Sequence, residues 1–158
     1  MASKSKYKLV RRDGITAIVL FKKKALLLKR RNVPVISNPG IWAFVSGATE
    51  SVESHISTAY REIEEETGIK KDSLKLVKEY KLLLFEERKR IMWPNQVFIF
   101  NSNTGKVKLD WENSDYRWAT IDEIVREKRY TNIFINKQLI IKSIRDVAYG
   151  KIGNEKKA

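Results

Sequence analysis

The sequence predicts one α/β domain of the α+β kind, a mixed β-sheet flanked by helices. Three observations predict it. Short apolar runs at Ile15–Phe21 and Ala25–Leu28 flank a basic turn, Lys22–Lys24, which is the pattern of two paired strands. A longer segment, Val52–Thr67, carries apolar residues at helical spacing. Strands and helices then follow one another without the regular alternation that builds an all-parallel sheet.

Each element has its own local reason. Asn32–Gly40 holds Pro34, Asn38, Pro39 and Gly40, so it reads as a loop. Ile41–Val45 reads as a short strand and Gly47–Ser51 as a loop. In the helix Val52–Thr67, the residues Val52, Ile56, Ala59, Tyr60 and Ile63 fall on one face and would pack on the sheet. Leu76–Phe85, Gln96–Asn101 and Tyr116–Ala119 read as further strands. Thr120 followed by Glu123 is a capping box for a brief helix near Ile121–Arg126. Ile140, Ile144 and Val147 recur at helical spacing, and Gly150 is a helix stop.

The 158 residues suit one domain, residues 1–150, followed by a disordered basic tail, 151–158. A hydrophobic content of 42% and a charged content of 32% describe a folded chain. No apolar run approaches the ~20 residues that span a bilayer, and the basic N-terminus lacks the apolar core of a secretory signal. Zero cysteines exclude disulfides, thiolate nucleophiles and Cys-based zinc sites, and make the cytoplasm the expected location. With a single histidine, His55, any metal site is built mainly from oxygen ligands, which favours magnesium, or manganese, over zinc. The net charge of +13, spread over Lys22–Lys24, Lys29–Arg31, Arg88–Arg90 and both termini, attracts polyanions. No aromatic-basic repeat marks a nucleic-acid platform, so the charge alone selects no partner. A homodimer is left open.

The acidic residues are concentrated where the rest of the chain is basic. Glu50, Glu53, Glu62, Glu64, Glu65 and Glu66 fall within seventeen positions. Glu62, Glu65 and Glu66 stand at i, i+3 and i+4 and share a helix face distinct from the apolar one. Like charges at that spacing repel, and the helix C-terminus disfavours anions. Solvation, or pairing with lysines, is the plain alternative. A bound divalent cation would reverse the sign of both penalties.

The surrounding pattern decides between these. Gly47, five residues, Glu53, seven residues, then Arg61-Glu62-Ile63-Glu64-Glu65-Glu66-Thr67-Gly68-Ile69 meets every fixed position of G-x5-E-x7-R-E-U-x-E-E-x-G-U, U being a bulky aliphatic. At ordinary residue usage a chance match is on the order of one in ten million or rarer. On these residues the chain resembles the Nudix hydrolase family. The preceding strand pair, Lys29-Arg30-Arg31, Trp42 and the later Tyr-x-Trp extend the likeness beyond the motif. The resemblance implies a Nudix-type α/β/α sandwich whose catalytic motif is a loop–helix–loop. It also implies that Glu62, Glu65 and Glu66 hold magnesium with help from the backbone of Gly47. Arg61 would orient the carboxylates by pairing with Glu53, as a planar fork suits, and Gly68 would stop the helix.

Hydrolysis of a diphosphate linkage by metal-activated water follows. Glu65 or Glu66 is a candidate base, and Glu112 is the candidate from outside the motif. Arg31, and after it Arg30, resembles the phosphate-contacting arginine of nucleotide-cleaving members. Trp42 reads as core or pocket wall. Core packing is also the first reading of Trp93, Trp111 and Trp118, with base stacking the second. His55 is assigned no role.

Ser46 stands where many members have glycine. With Asn38-Pro39-Gly40-Ile41-Trp42 and Glu112-x3-Tyr116-x-Trp118, this gives a weaker resemblance to the subgroup containing dihydroneopterin triphosphate pyrophosphatase. The expected substrate is therefore nucleotide-like, a nucleoside di- or triphosphate type, and no ADP-ribose or diadenosine-polyphosphate pattern stands out. Two rival readings remain: a pyrophosphohydrolase or decapping enzyme of RNA 5′ ends, and a non-catalytic nucleic-acid-binding module on the same scaffold. Isopentenyl diphosphate isomerase chemistry needs a cysteine that the chain lacks.

Overall fold

The computed structural model describes residues 6–10, 13–36, 39–86, 89–130 and 137–150. The expected tail, 151–158, lies outside the described residues, as do Asn38 and Arg88. The strands are β1 (Lys8–Leu9), β2 (Gly14–Phe21), β3 (Lys24–Arg30), β4 (Trp42–Ala43), β5 (Val45–Ala48), β6 (Leu74–Glu86), β7 (Ile91–Ser102) and β8 (Asn113–Ala119). The helices are α1 (His55–Thr67), α2 (Ile121–Arg126) and α3 (Lys137–Ala148). None of the helices is long and apolar enough to cross a membrane.

The eight strands form one mixed sheet. β2 runs parallel to β7, with Ile15 opposite Gln96 and Leu20 opposite Asn101. Its other edge is shared: β5 takes the first half, Gly14 to Ala17, and β3 joins by a tight hairpin at Leu20 and Phe21. The hairpin turn is Lys22-Lys23, both at positive φ (52° and 65°), as a two-residue turn matching the strand twist requires. β3 continues outward to pair with β8, and the register slips between Lys29 and Arg30. Irregularities of this kind re-aim side chains at the end of a strand pair, and here the slip brings Asn113 opposite Arg30.

Both faces of the sheet are covered, which is why β2 reads as an unbroken apolar run instead of an alternating one. Ile15, Ala17, Val19, Leu26, Leu28, Phe98 and Phe100 point to one side and pack with Ala59 and Ile63 of α1. Ile18, Leu20, Leu27, Val97 and Ile99 point to the other and pack with Ile121 and Ile124 of α2 and Ile140 and Ile144 of α3. The architecture is the α/β/α sandwich that the motif implies.

Several boundaries differ from the sequence reading. α1 begins at His55 because Ser54, not Val52, caps it: the Ser54 hydroxyl accepts the Ser57 N–H at 3.2 Å. Val52 is therefore off the apolar face and is 94% exposed. Gly47 lies in β5, where it pairs with Ile15, and not in a loop. The segment Ile41–Val45 breaks into β4 and β5 at Phe44. β6, β7 and β8 are longer than their most apolar stretches because backbone pairing continues through polar residues.

Candidate active site

Helix α1 carries the acidic cluster, and its two ends explain how it is set. Ser54 fixes the first turn. Gly68 ends the helix in the left-handed conformation (φ 75°), its N–H donating to the Glu64 carbonyl at 2.9 Å. The chain then returns along this end of the helix, where the Lys108 N–H donates to the Thr67 carbonyl at 2.9 Å. That return brings residues 110–113 against the carboxylates.

Arg61 is the hub. Its Nε and Nη2 donate to Glu53 Oε2 and Oε1 at 2.6 and 2.8 Å, a bidentate fork. Its Nη1 donates to Glu62 Oε1 at 3.0 Å and to Glu65 Oε2 at 3.3 Å. The bonded guanidinium holds the Glu53 carboxyl at about 2, well below the usual carboxylate range, and Glu53 in turn holds Arg61 firmly charged. One cation thus serves three carboxylates.

The fourth is served differently. Glu66 is only 8% exposed. Its Oε1 accepts from Asn113 Nδ2 at 3.3 Å, and the same amide donates to Asp110 Oδ1 at 2.9 Å. Its Oε2 is buried with no hydrogen-bond partner among the described residues. Burial, with the neighbouring Glu62 carboxylate behind it, pushes the Glu66 carboxyl up to about 9. Burial likewise raises Glu62. Glu65, by contrast, has a side chain 55% exposed. The three glutamates do not share one solvated face: Glu66 points inward, Glu62 lies between, and Glu65 points out.

Gly47 explains how Glu62 reaches its place. A Cβ on Gly47 would stand 2.3 Å from the Glu62 Cδ, so glycine is what allows that carboxylate to lie against β5.

The donors are all oxygen and anionic, the set a hard divalent cation takes. The buried Glu66 oxygen without a donor, beside the half-buried Glu62 carboxylate, is an unfavourable arrangement that a cation would correct. The residues fit magnesium on that ground. Among the described residues no three acidic or histidine side chains are already gathered as a closed metal cage; Arg61 Nη1 stands between Glu62 and Glu65.

Arg31 Nε donates to the Trp111 carbonyl at 2.6 Å and Nη2 to the Asn113 carbonyl at 3.5 Å, while its backbone N–H donates to the Glu112 carbonyl at 2.8 Å. Its guanidinium therefore fastens the 111–113 segment. Arg30 Nη2 lies 4.0 Å from Glu112 Oε2. The carboxylate of this segment that bears on Glu66 is Asp110, which the sequence reading did not single out, together with Asn113. Their Asp-x-x-Asn spacing before a strand was the available signal, but nothing local says that this segment packs on α1. His55 pairs with Asp13 at 2.6 Å, tying the start of α1 to the residue that precedes β2. Trp42 is core, edge-on to Tyr130 at 5.6 Å.

The sequence matches the NUDIX domain over residues 10–139. It is 28% identical over 116 residues to a bis(5'-nucleosyl)-tetraphosphatase [asymmetrical] of Sus scrofa, covering 62% of this chain and 77% of that protein. It is 26% identical over 138 residues to an RNA pyrophosphohydrolase of Pelagibacter ubique (strain HTCC1062), covering 77% of this chain and 84% of that protein. A C. elegans Ap4A hydrolase, solved as a binary complex, superposes with a TM-score of 0.68 at 17% identity over 90% of this chain and 99% of that one, a likeness of fold. With its motif complete and the domain matched over most of its length, the chain belongs to the NUDIX family.

Proposed function

We propose that this NUDIX protein is a magnesium-dependent pyrophosphohydrolase that cleaves a diphosphate linkage in a nucleoside polyphosphate. The observation that carries the reading is the buried Glu66 beside the half-buried Glu62: burial, and then the Glu62 charge, raise Glu66, burial and the Glu65 charge raise Glu62, and Glu66 Oε2 has no donor among the described residues. Such a pair has no structural benefit of its own, and it is completed by a cation. Bound magnesium, or manganese, supplies charge neutralisation of the diphosphate and a nucleophilic water.

The chain's own residues do the rest. Arg61 holds Glu53 and Glu62 through one guanidinium, and Asn113 holds Glu66 Oε1. The Gly47 backbone lies beside Glu62 and offers a carbonyl to the same cation. Glu65, open to solvent, is the proposed acceptor of a proton from an attacking water, with Glu66 and Glu112 as the alternatives. Arg30, 4.0 Å from Glu112, is assigned to a substrate phosphate; Arg31 supports it by holding the segment in place. A cytoplasmic setting is part of the same proposal, on the cysteine-free composition.

The two relatives widen the substrate class beyond triphosphates: one is named for a dinucleoside tetraphosphate and the other for RNA. A net charge of +13 favours the RNA reading as the second choice. The test is product analysis with magnesium and a panel of nucleoside triphosphates, dihydroneopterin triphosphate, diadenosine tetraphosphate and 5′-triphosphorylated RNA. Magnesium-dependent phosphate-ester products from one class, lost in Glu66→Gln, are the expected result. Turnover of RNA alone, falling steeply with salt, would move the assignment to RNA 5′ ends. Nucleic-acid binding without magnesium, and no turnover of any member, would overturn the enzyme reading.

A further inference from the structure

Three of the four tryptophans are consumed by packing. Trp42 is buried against Tyr130, Trp93 packs on the α2–α3 side of the sheet, and Trp118 packs on the α1 side with its Nε1 donating to the Gly105 carbonyl at 3.0 Å. Trp111 differs, for it is 62% exposed. This overturns the first reading of that residue as core.

An exposed aromatic is unremarkable by itself. What distinguishes Trp111 is the backbone beneath it. Arg31 makes three bonds to residues 111–113, including the 2.6 Å bond from Nε to the Trp111 carbonyl. The indole is therefore carried on a fixed turn, so little ordering remains to oppose a ligand that stacks on it. Two residues further on, Asn113 hydrogen-bonds Glu66. Two residues of chain reach about 7 Å at most, so the indole and the carboxylate cluster are joined by a short, pinned connection. Glu112, on the same segment, lies 4.0 Å from Arg30. A diphosphate at the carboxylates would leave its base or its equivalent planar group within reach of this ring.

We infer that Trp111 is the stacking platform for the planar heterocycle of the substrate, and that Arg31 is the positioning residue that holds it there. The inference rests on the nucleotide-hydrolase reading above and adds to it the residue that selects a base-bearing substrate. Stacking tolerates any base because each has a π face, and a purine offers more area than a pyrimidine. Binding energy at Trp111 is independent of the reacting phosphorus, so it enters KM rather than kcat.

The experiment compares wild type, Trp111→Phe and Trp111→Ala on the adenine substrate that the enzyme cleaves fastest and on its cytosine counterpart. Arg31 bonds the Trp111 carbonyl, which either substitution leaves in place. Stacking of the usual strength predicts a KM rise of about fivefold or more in Trp111→Ala, larger for adenine than for cytosine. The Phe variant recovers most of it, and kcat stays within about twofold. An unchanged KM, or Phe and Ala behaving alike, would overturn the platform. If wild type cleaves none of these compounds, the hydrolase reading fails, and ADP titration with indole fluorescence then decides the platform separately. Quenching in wild type that disappears in Trp111→Phe supports it; quenching that persists, or none in wild type, overturns it.

Discussion

Two arginine–glutamate pairs lie on opposite faces of the sheet, and they share one chemistry. Arg61 grips Glu53 beside α1, and Arg117 grips Glu123 in α2; in each the guanidinium holds the carboxyl at about 2. Around Glu123 the account closes. Its Oε1 accepts the Thr120 N–H, the Thr120 hydroxyl accepts the Glu123 N–H, both at 3.1 Å, and its Oε2 takes Arg117. Every group is satisfied, and the acids sit at the helix N-terminus where the dipole favours them. Around Glu53 it does not close. Arg61 is shared among Glu53, Glu62 and Glu65, Glu66 is buried with an open oxygen, and the acids crowd the wrong end of the helix. The α2 end is built for stability, while the α1 end carries a repulsion that the proposed cation would offset.

The sharpest way to break this contrast is Glu66→Gln. It should lower turnover by about a hundredfold to a thousandfold or more, as loss of a group aimed at the reacting charge does, while raising the melting temperature of the metal-free protein near pH 7, because folding no longer has to hold on the buried Glu66 a proton that the unfolded chain releases. Steady-state kinetics and thermal melts read the two effects. A loss of both activity and stability would make Glu66 a structural residue only. Next in size is Gly47→Ala. The new methyl group displaces the far end of the flexible Glu62 side chain and not backbone, so the fold should survive with activity down about tenfold to a hundredfold, the range for misplaced ligands. Asn113→Leu should fall in the same range through Glu66, with metal affinity reduced alongside turnover. Equal metal affinity in that variant would separate Asn113 from the site.

How far the sequence carries depends on distance along the chain. The helix, its Gly68 stop and the capping box at Thr120 were legible because each is written within a few residues. The pairing of Arg61 with Glu53 was implied by the family resemblance; the two residues are separated by the Ser54 cap and about two turns of α1. The layering was legible from the apolar runs of β2 and β3. What was not legible depends on long-range placement. Asp110 and Asn113 lie more than forty positions from Glu66 and meet it only because Lys108 bonds the end of α1. Trp111 could not be told from a core tryptophan by composition, since burial is decided by which strand end the turn closes. Val52 was assigned to the helix by its apolarity, whereas the Ser54 cap decides the start.

The pH dependence sharpens the comparison further. The folded, metal-free protein retains a proton on the Glu62–Glu66 pair up to about pH 9, whereas the unfolded chain releases it near the ordinary glutamate range. The native state then binds more protons, so this pair's contribution to stability is favourable at low pH and is lost as pH rises toward about 9. Glu53 and Glu123 act oppositely, since their contributions are present above the ordinary range and are lost as pH falls toward about 2. Urea denaturation from pH 5 to 9 should therefore show a decline in the metal-free protein that Glu66→Gln flattens; an identical decline in both would place its cause elsewhere. The smallest effect is expected at the closed end: Thr120→Ala should cost about 1 kcal/mol of stability and leave turnover unchanged, and a loss of turnover there would erase the distinction between the two ends.

The most direct test is calorimetric titration of magnesium into the metal-free protein at pH 7 in two buffers of different ionisation enthalpy. Saturable binding is expected with release of about one proton, as the Glu62–Glu66 pair gives up the proton it holds, and with loss of that release in Glu66→Gln. Absence of magnesium binding, or binding with no proton released, would contradict the claim that this carboxylate pair is where the cation belongs.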